Sequence, residues 1–154
     1  MQNRRWDIIE KYDAIKLENQ LCFPLYACSK ELIRLYRKPL EKLSLTYTQY
    51  LVMMVLWEQG EMTEGELGKM IRLDSGTLAP LLKRLEKQGL LRRSRLESNE
   101  RKLLISLTKE GEMLKEKAVS VPDEMQGCIP LSQAELQQLK ALLDKALTDM
   151  KVKG

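Results

Sequence analysis

Three cysteines and no histidine set the side-chain chemistry open to this 154-residue sequence. Without histidine there is no imidazole base and no His metal ligand. Cys22, Cys28 and Cys128 have neither the paired spacing of a zinc site nor the pattern of a disulfide scaffold. A thiol is reactive where its surroundings favour the thiolate. Cys22 meets that condition, because Pro24 either kinks a helix or starts a new one, and both leave unpartnered backbone N–H groups beside the sulfur. Tyr26 follows at i+4, one turn along the same face. Tyr36 lies fourteen residues from Cys22, about 21 Å along a continuous helix, so it cannot meet its own Cys22 unless the chain folds back. Cys28, at i+6 and about 9 Å along, falls on a different face and reads as packing.

A second set of residues points to nucleic acid. Leu78, Leu81, Leu82 and Leu85 recur at helical spacing, an apolar stripe within 73–89 whose other side carries Thr77, Pro80, Lys83, Arg84 and Lys87. Asp74 or Ser75 can cap this helix, and an interior Pro80, four residues after Gly76, predicts a bent or loosened first turn. Just before it, Thr63 and Glu66 have capping-box spacing and predict a short helix from Thr63 to about Ile71. Two helices joined by so tight a turn form a helix-turn-helix. After Gly89, the residues Leu103, Ile105 and Leu107 alternate with Leu104, Ser106 and Thr108, as in a strand. Leu90 to Arg95 is its expected hairpin partner, across a charged tip at 96–101 containing Ser98 and Asn99.

Charge follows the same elements. Between Lys83 and Lys102 there are eight basic and three acidic residues, against 18 basic and 19 acidic in the rest. The whole positive excess of a chain with net charge +4 therefore lies on the expected recognition helix and wing, where a phosphate backbone would meet it.

The flanks must position this module. A long helix is expected from Ala14 to about Lys38, with Leu17, Leu21, Leu25, Cys28, Leu32 and Leu35 along it, and another from Thr46 to Glu58 with Tyr50, Met53, Met54 and Trp57 facing the core. A helix from Glu110 is interrupted near Val121-Pro-Asp and again at Gly127-Cys-Ile-Pro130. Ser132 and Glu135 form a second capping box, opening a helix with a coiled-coil-like seam of Leu136, Leu139, Leu143, Ala146 and Met150. These stripes exceed what a central module of about 65 residues can cover, so a homodimer through both ends is expected, with two recognition helices about 34 Å apart on an inverted repeat. The expected class is mainly α with a small β-wing: a winged helix-turn-helix at 44–111 flanked by dimerisation helices at 1–43 and 112–154. The longest apolar run, Tyr50 to Trp57, is too short to span a membrane and the first residues do not resemble a secretory signal, so a cytoplasmic protein is expected.

Several stretches together carry a resemblance: Leu17-Glu-Asn-Gln-Leu-Cys-Phe23 with Tyr26, Leu45-Thr-Tyr-Thr-Gln-Tyr50, Leu73-Asp-Ser-Gly-Thr77 with Pro80-Leu-Leu-Lys-Arg84, and Glu100-Arg101 ahead of Ile105-Ser-Leu-Thr108. Over nearly its full length the sequence resembles the MarR family of bacterial winged-helix regulators, and more narrowly its organic hydroperoxide sensor branch. The resemblance implies a repressor of double-stranded DNA, not an enzyme, with no cofactor or metal. It makes Cys22 the peroxide-reactive residue and places Tyr26, Tyr36 and Tyr47 around it, where phenolic donors stabilise a thiolate. A sulfenic acid condenses with a second thiol. Cys128 is the candidate resolving thiol, as in the two-cysteine subtype with its intersubunit disulfide. Ser75 and Thr77 are the expected base or phosphate contacts, with Lys83, Arg84, Arg93, Arg95 and Arg101 on the backbone. The sequence departs from the pattern at Pro24, at Thr48 and Ala79, and at Asn99, where an acidic residue usually orients the wing arginine. Two other readings stand beside this one: a MarR-type repressor switched by a phenolic or apolar ligand, and a thiol peroxidase.

Overall fold

The computed structural model describes residues 12–96 and 99–150. Two short 3-10 helices, Asp13–Ile15 and Leu17–Asn19, precede α1 (Cys22–Glu41) and α2 (Tyr47–Gln59). Then come β1 (Met62–Thr63), α3 (Glu64–Ile71), α4 (Ser75–Lys87), β2 (Leu91–Leu96) and β3 (Asn99–Leu107). The chain closes with α5 (Lys109–Ala118), α6 (Ser120–Met125) and α7 (Gln133–Asp149). The winged helix-turn-helix is therefore present, between mainly helical flanks.

Side chains that compete for backbone groups set many of the boundaries. The expected helix from Ala14 is instead two 3-10 turns, because the Asn19 amide donates to the Asp13 carbonyl at 2.8 Å and the Gln20 amide to the Lys16 carbonyl at 3.2 Å. The true helix starts at Cys22, and Pro24, lacking an N–H, sits in its first turn where no partner is needed. α1 then runs through Pro39 to Glu41, beyond the expected end near Lys38. The Thr63–Glu66 and Ser132–Glu135 capping boxes both form, and Thr46 with Gln49 makes a third at the start of α2. The interruption near Val121 is the break between α5 and α6, while 126–132 forms the expected loop.

Three antiparallel strands are ordered β1-β3-β2, with Met62 opposite Ile105 and Leu91 opposite Leu107. The short β1 was not expected from the sequence. The expected turn at Ser98 lies outside the described residues.

The core sits within the winged module and the end of α1. Leu78, Leu81, Leu82 and Leu85 of α4 are buried with Met53 and Leu56 of α2, Leu67 of α3, Leu91 and Ile105 of the sheet, and Leu40. Met54 departs from the expected α2 core face, being 36% exposed. Gly111 permits close approach of α5 to the turn after α4, since a Cβ there would lie 2.0 Å from the Leu90 carbonyl oxygen. Trp57 locks the same contact, donating its indole N–H to the Gly111 carbonyl at 2.8 Å.

Outside this module Ala118 of α5 and Val121 of α6 join the core, but the first half of α1 and all of α7 are uncovered. Leu17, Leu21, Phe23, Leu25 and Tyr26 are exposed, and no described residue of α7 is buried. Cys28, expected as packing, is also exposed within the chain.

Candidate nucleic-acid interface and thiol site

The α3–α4 turn is three residues long, and its geometry follows from two of its neighbours. Arg72 ends α3 in the left-handed region at φ 55°, and the Leu73 N–H returns to the Gly68 carbonyl at 2.9 Å. Gly68 must be small, because a Cβ there would stand 2.8 Å from the Leu73 carbonyl oxygen. Asp74 caps α4: one carboxylate oxygen accepts the Thr77 N–H at 2.9 Å and the other the Thr77 hydroxyl at 3.0 Å. These two bonds, backbone first, hold the Asp74 carboxyl below the usual carboxylate range. α4 continues through Pro80 as one helix.

Its buried leucine stripe turns Ser75, Thr77, Lys83, Arg84 and Lys87 outward, all exposed. Arg84 and Lys87 border a groove with Glu41, Ser44 and Thr46, so they lie toward the α1–α2 turn. In the wing, Arg93 pairs with Ile105 and Arg95 with Leu103, and directly opposed residues share one face of the sheet. That face meets α4. Arg93 is accordingly committed to Glu86, with its Nε at 2.9 Å and Nη2 at 2.6 Å from one carboxylate oxygen, and its backbone N–H at 3.1 Å from the other. The Arg93 side chain is only 20% exposed, so it braces helix against wing instead of standing free as expected for a backbone contact. Its side-chain hydrogen bonds hold the Glu86 carboxyl below the usual range, against the opposing effect of burial. Arg95 is exposed near the tip, and Arg101 stands on β3 close to it.

The thiol residues divide between the two ends of α1. Cys22 is the first residue of the helix, with no side chain capping its N–H groups, and Tyr26 is one turn further, beneath the Lys30 ammonium 5.9 Å from its ring. Tyr36 instead meets Tyr47 of α2, ring centroids 5.1 Å apart, and Tyr50 at 6.2 Å. Burial, then mutual repulsion of charge, raises the Tyr36 and Tyr50 hydroxyls above the usual phenol range, so both stay protonated donors at neutral pH. The sequence marks Tyr50 only as core, whereas Tyr36 and Tyr47 are expected around the thiol.

Cys128 belongs to the Tyr36 end. Its Sγ lies 3.5 Å from the Glu124 carbonyl oxygen, and Glu124 is paired with Lys42, just past α1, at 2.8 Å. Twenty helical residues, about 30 Å, separate Lys42 from Cys22. All three cysteines are exposed free thiols. Among the described residues no cluster of three or more His, Cys, Asp or Glu could hold a metal, and no helix is long and apolar enough to cross a membrane.

Comparison with known proteins agrees with this arrangement. Over 133 residues the chain is 51% identical to the organic hydroperoxide resistance transcriptional regulator of Bacillus subtilis (strain 168), covering 86% of this chain and 90% of that protein. It is similar to reduced AbfR bound to DNA, a Staphylococcus epidermidis protein, with TM-score 0.76 and 35% identity over 90% of this chain and 95% of that one. Disulfide-formed AbfR is less alike, with TM-score 0.59 and 36% identity over 90% and 92% of the two chains. Residues 45–103, which span the helix-turn-helix and most of the wing, match the MarR family directly. With its winged module, basic recognition helix and these relatives, the chain belongs to the MarR family of transcriptional regulators.

Proposed function

We propose that this regulator is a homodimeric repressor that holds an inverted-repeat operator when reduced and leaves it when an organic hydroperoxide oxidises Cys22. The observation that carries the reading is the division of α1: Cys22 and Tyr26 at one end, Tyr36, Tyr47 and Cys128 at the other. Within one chain these groups do not meet. Two α1 helices crossing in opposite senses bring the Cys22 of one protomer to the phenols and Cys128 of its partner. Such a crossing also covers the exposed apolar residues of α1 and α7.

The chemistry is two steps. The Cys22 thiolate attacks the distal oxygen of the hydroperoxide, the O–O bond breaks, and the alcohol leaves after taking up a proton, giving a sulfenic acid. The Cys128 thiolate then attacks that sulfur, a disulfide forms between protomers, and water departs. Tyr36, kept protonated by burial, and Tyr47 donate hydrogen bonds to the thiolate and the leaving oxygen. A disulfide tying Cys128 pulls on the loop that leads into α7 and changes the spacing of the two recognition helices. The lower likeness to disulfide-formed AbfR than to AbfR bound to DNA, reduced or overoxidized, supports a conformation here without the disulfide. DNA contact falls to Ser75, Thr77, Lys83, Arg84, Arg95 and Arg101.

The test is fluorescence anisotropy on an inverted-repeat duplex before and after cumene hydroperoxide, with Cys22→Ser alongside. Wild type should dissociate and the variant stay bound. Release of both by the reagent would favour a ligand-switched repressor, and sustained peroxide turnover with a thiol reductant would favour a peroxidase.

A further inference from the structure

The leading edge of α4 presents acceptors beside a groove that carries both signs of charge, Lys69, Arg72 and Lys102 with Glu64 and Glu66. Asp74, Ser75, Gly76 and Thr77 are all exposed. The Asp74 carboxylate accepts from Thr77 at both oxygens, with a smaller contribution from the Gly76 N–H, and with about four acceptor positions on an exposed residue it retains capacity for a further donor. The Thr77 hydroxyl has given its single hydrogen to Asp74, so outward it offers an oxygen and a methyl group. Gly76 keeps the carboxylate uncrowded, since a Cβ there would lie 3.1 Å from the Asp74 oxygen. The carboxyl is ionised at neutral pH, because Thr77 holds it below the usual range.

A fixed anion is a poor partner for phosphate. In the major groove it is repelled by the O6 and N7 acceptors of guanine and the O4 of thymine. The donors there are the amino groups of cytosine and adenine, and adenine sets its N7 acceptor beside its amino group whereas cytosine does not. We infer that Asp74 is a specificity-determining residue that accepts a hydrogen bond from the amino group of a cytosine in the major groove, while lowering affinity for DNA that lacks one there. This rests on the DNA-binding reading above. The cap and the base contact use different lone pairs, so Asp74 does both at once. Thr77 acts as a positioning residue, fixing both carboxylate oxygens.

The experiment uses the full-length reduced protein, wild type and Asp74→Asn, each selecting from a pool of random duplexes. Asparagine caps a helix as well as aspartate, so the variant keeps α4 while losing the charge. Circular dichroism confirms its fold. On the duplex selected by wild type, each half-site cytosine is then replaced in turn by the pyrimidin-2-one nucleotide, which lacks only the amino group. Wild type should lose about tenfold in affinity at one such position, and Asp74→Asn should be indifferent there while binding random duplex more tightly. Identical base preferences for the two proteins, or a uniform loss on every duplex in the variant, would reduce Asp74 to a cap and overturn the inference alone. A wild type that enriches no sequence overturns the DNA-binding reading with it.

Discussion

Arg93 gives Glu86 two guanidinium hydrogen bonds and a backbone one, so the wing is bolted to the recognition helix at a point seven residues away in sequence. Removing either partner leaves a half-buried charge without its counterpart. Glu86→Gln should cost about 1 kcal/mol in urea unfolding and weaken operator binding, although neither residue is placed against DNA. A variant that binds and unfolds like wild type would show that the brace is idle.

The same pair sets an acid limb. The folded Glu86 carboxyl lies below its unfolded value, as do those of Asp74, Glu66 and Glu135 in their caps. Depressed carboxylates contribute stability that is fully present above the unfolded value, about 4.3 for Glu, and is lost as pH falls through the folded one. Stability should therefore be flat from neutrality to about pH 5 and fall below it, less steeply in Glu86→Gln. Tyr36 and Tyr50 work in the opposite sense: their raised values give stability that is complete below about pH 10 and lost as pH climbs through the folded values.

Tyr36→Phe keeps the ring against Tyr47 and Tyr50 and removes only the donor. Unfolding should change by less than about 1 kcal/mol. Oxidation of Cys22, followed by loss of free thiol under limiting cumene hydroperoxide, should slow about tenfold or more, the size expected when one preorganised donor to developing charge is lost. In mixed dimers, Cys22→Ser on one protomer and Tyr36→Phe on the other should leave one fast site, and both changes on the same protomer none; a site built within one chain predicts the reverse.

Cys128→Ser separates the two oxidation steps. Cys22 should still be oxidised, but the disulfide-linked dimer seen on a non-reducing gel should disappear. If release from DNA then becomes incomplete, the disulfide supplies the conformational work; a 100-fold difference in affinity corresponds to about 2.7 kcal/mol. Full release without Cys128 would assign the switch to the sulfenic acid itself.

Gly111→Ala is the sharpest test of the packing. Its Cβ would collide with the Leu90 backbone, which cannot yield without moving the end of α4. A loss of about 2 to 4 kcal/mol is expected from thermal or urea unfolding, against far less at Gly65, where a Cβ meets open space.

The recognition helix was legible because its leucines, cap and charges all repeat at one short period, so a single window of sequence contains the whole signal. The wing strands were legible for the same reason. β1 was not, since two residues carry no period and its pairing with Ile105 and Leu104 depends on chain forty residues away. The 3-10 turns before α1 were missed because amide side chains of Asn19 and Gln20 outcompete a helix that the leucine spacing favours. Arg93 looked like any basic residue until strand register put it on the face toward Glu86. Its alternation with Arg92 was visible, but which face met α4 was not. The thiol site could be read as separate residues; its division between the two ends of α1 needed the point where that helix begins.

No described residue of α7 is buried, and Arg72 holds its end through one hydrogen bond to the Leu147 carbonyl at 2.9 Å. A helix that adds nothing to its own chain's core can accept substitutions without endangering the fold of the module it serves. In the proposed dimer, partner choice and DNA reading are thus free to evolve separately: drift along α7 would insulate duplicated copies from one another in a genome that carries several, while the operator each one reads stays the same.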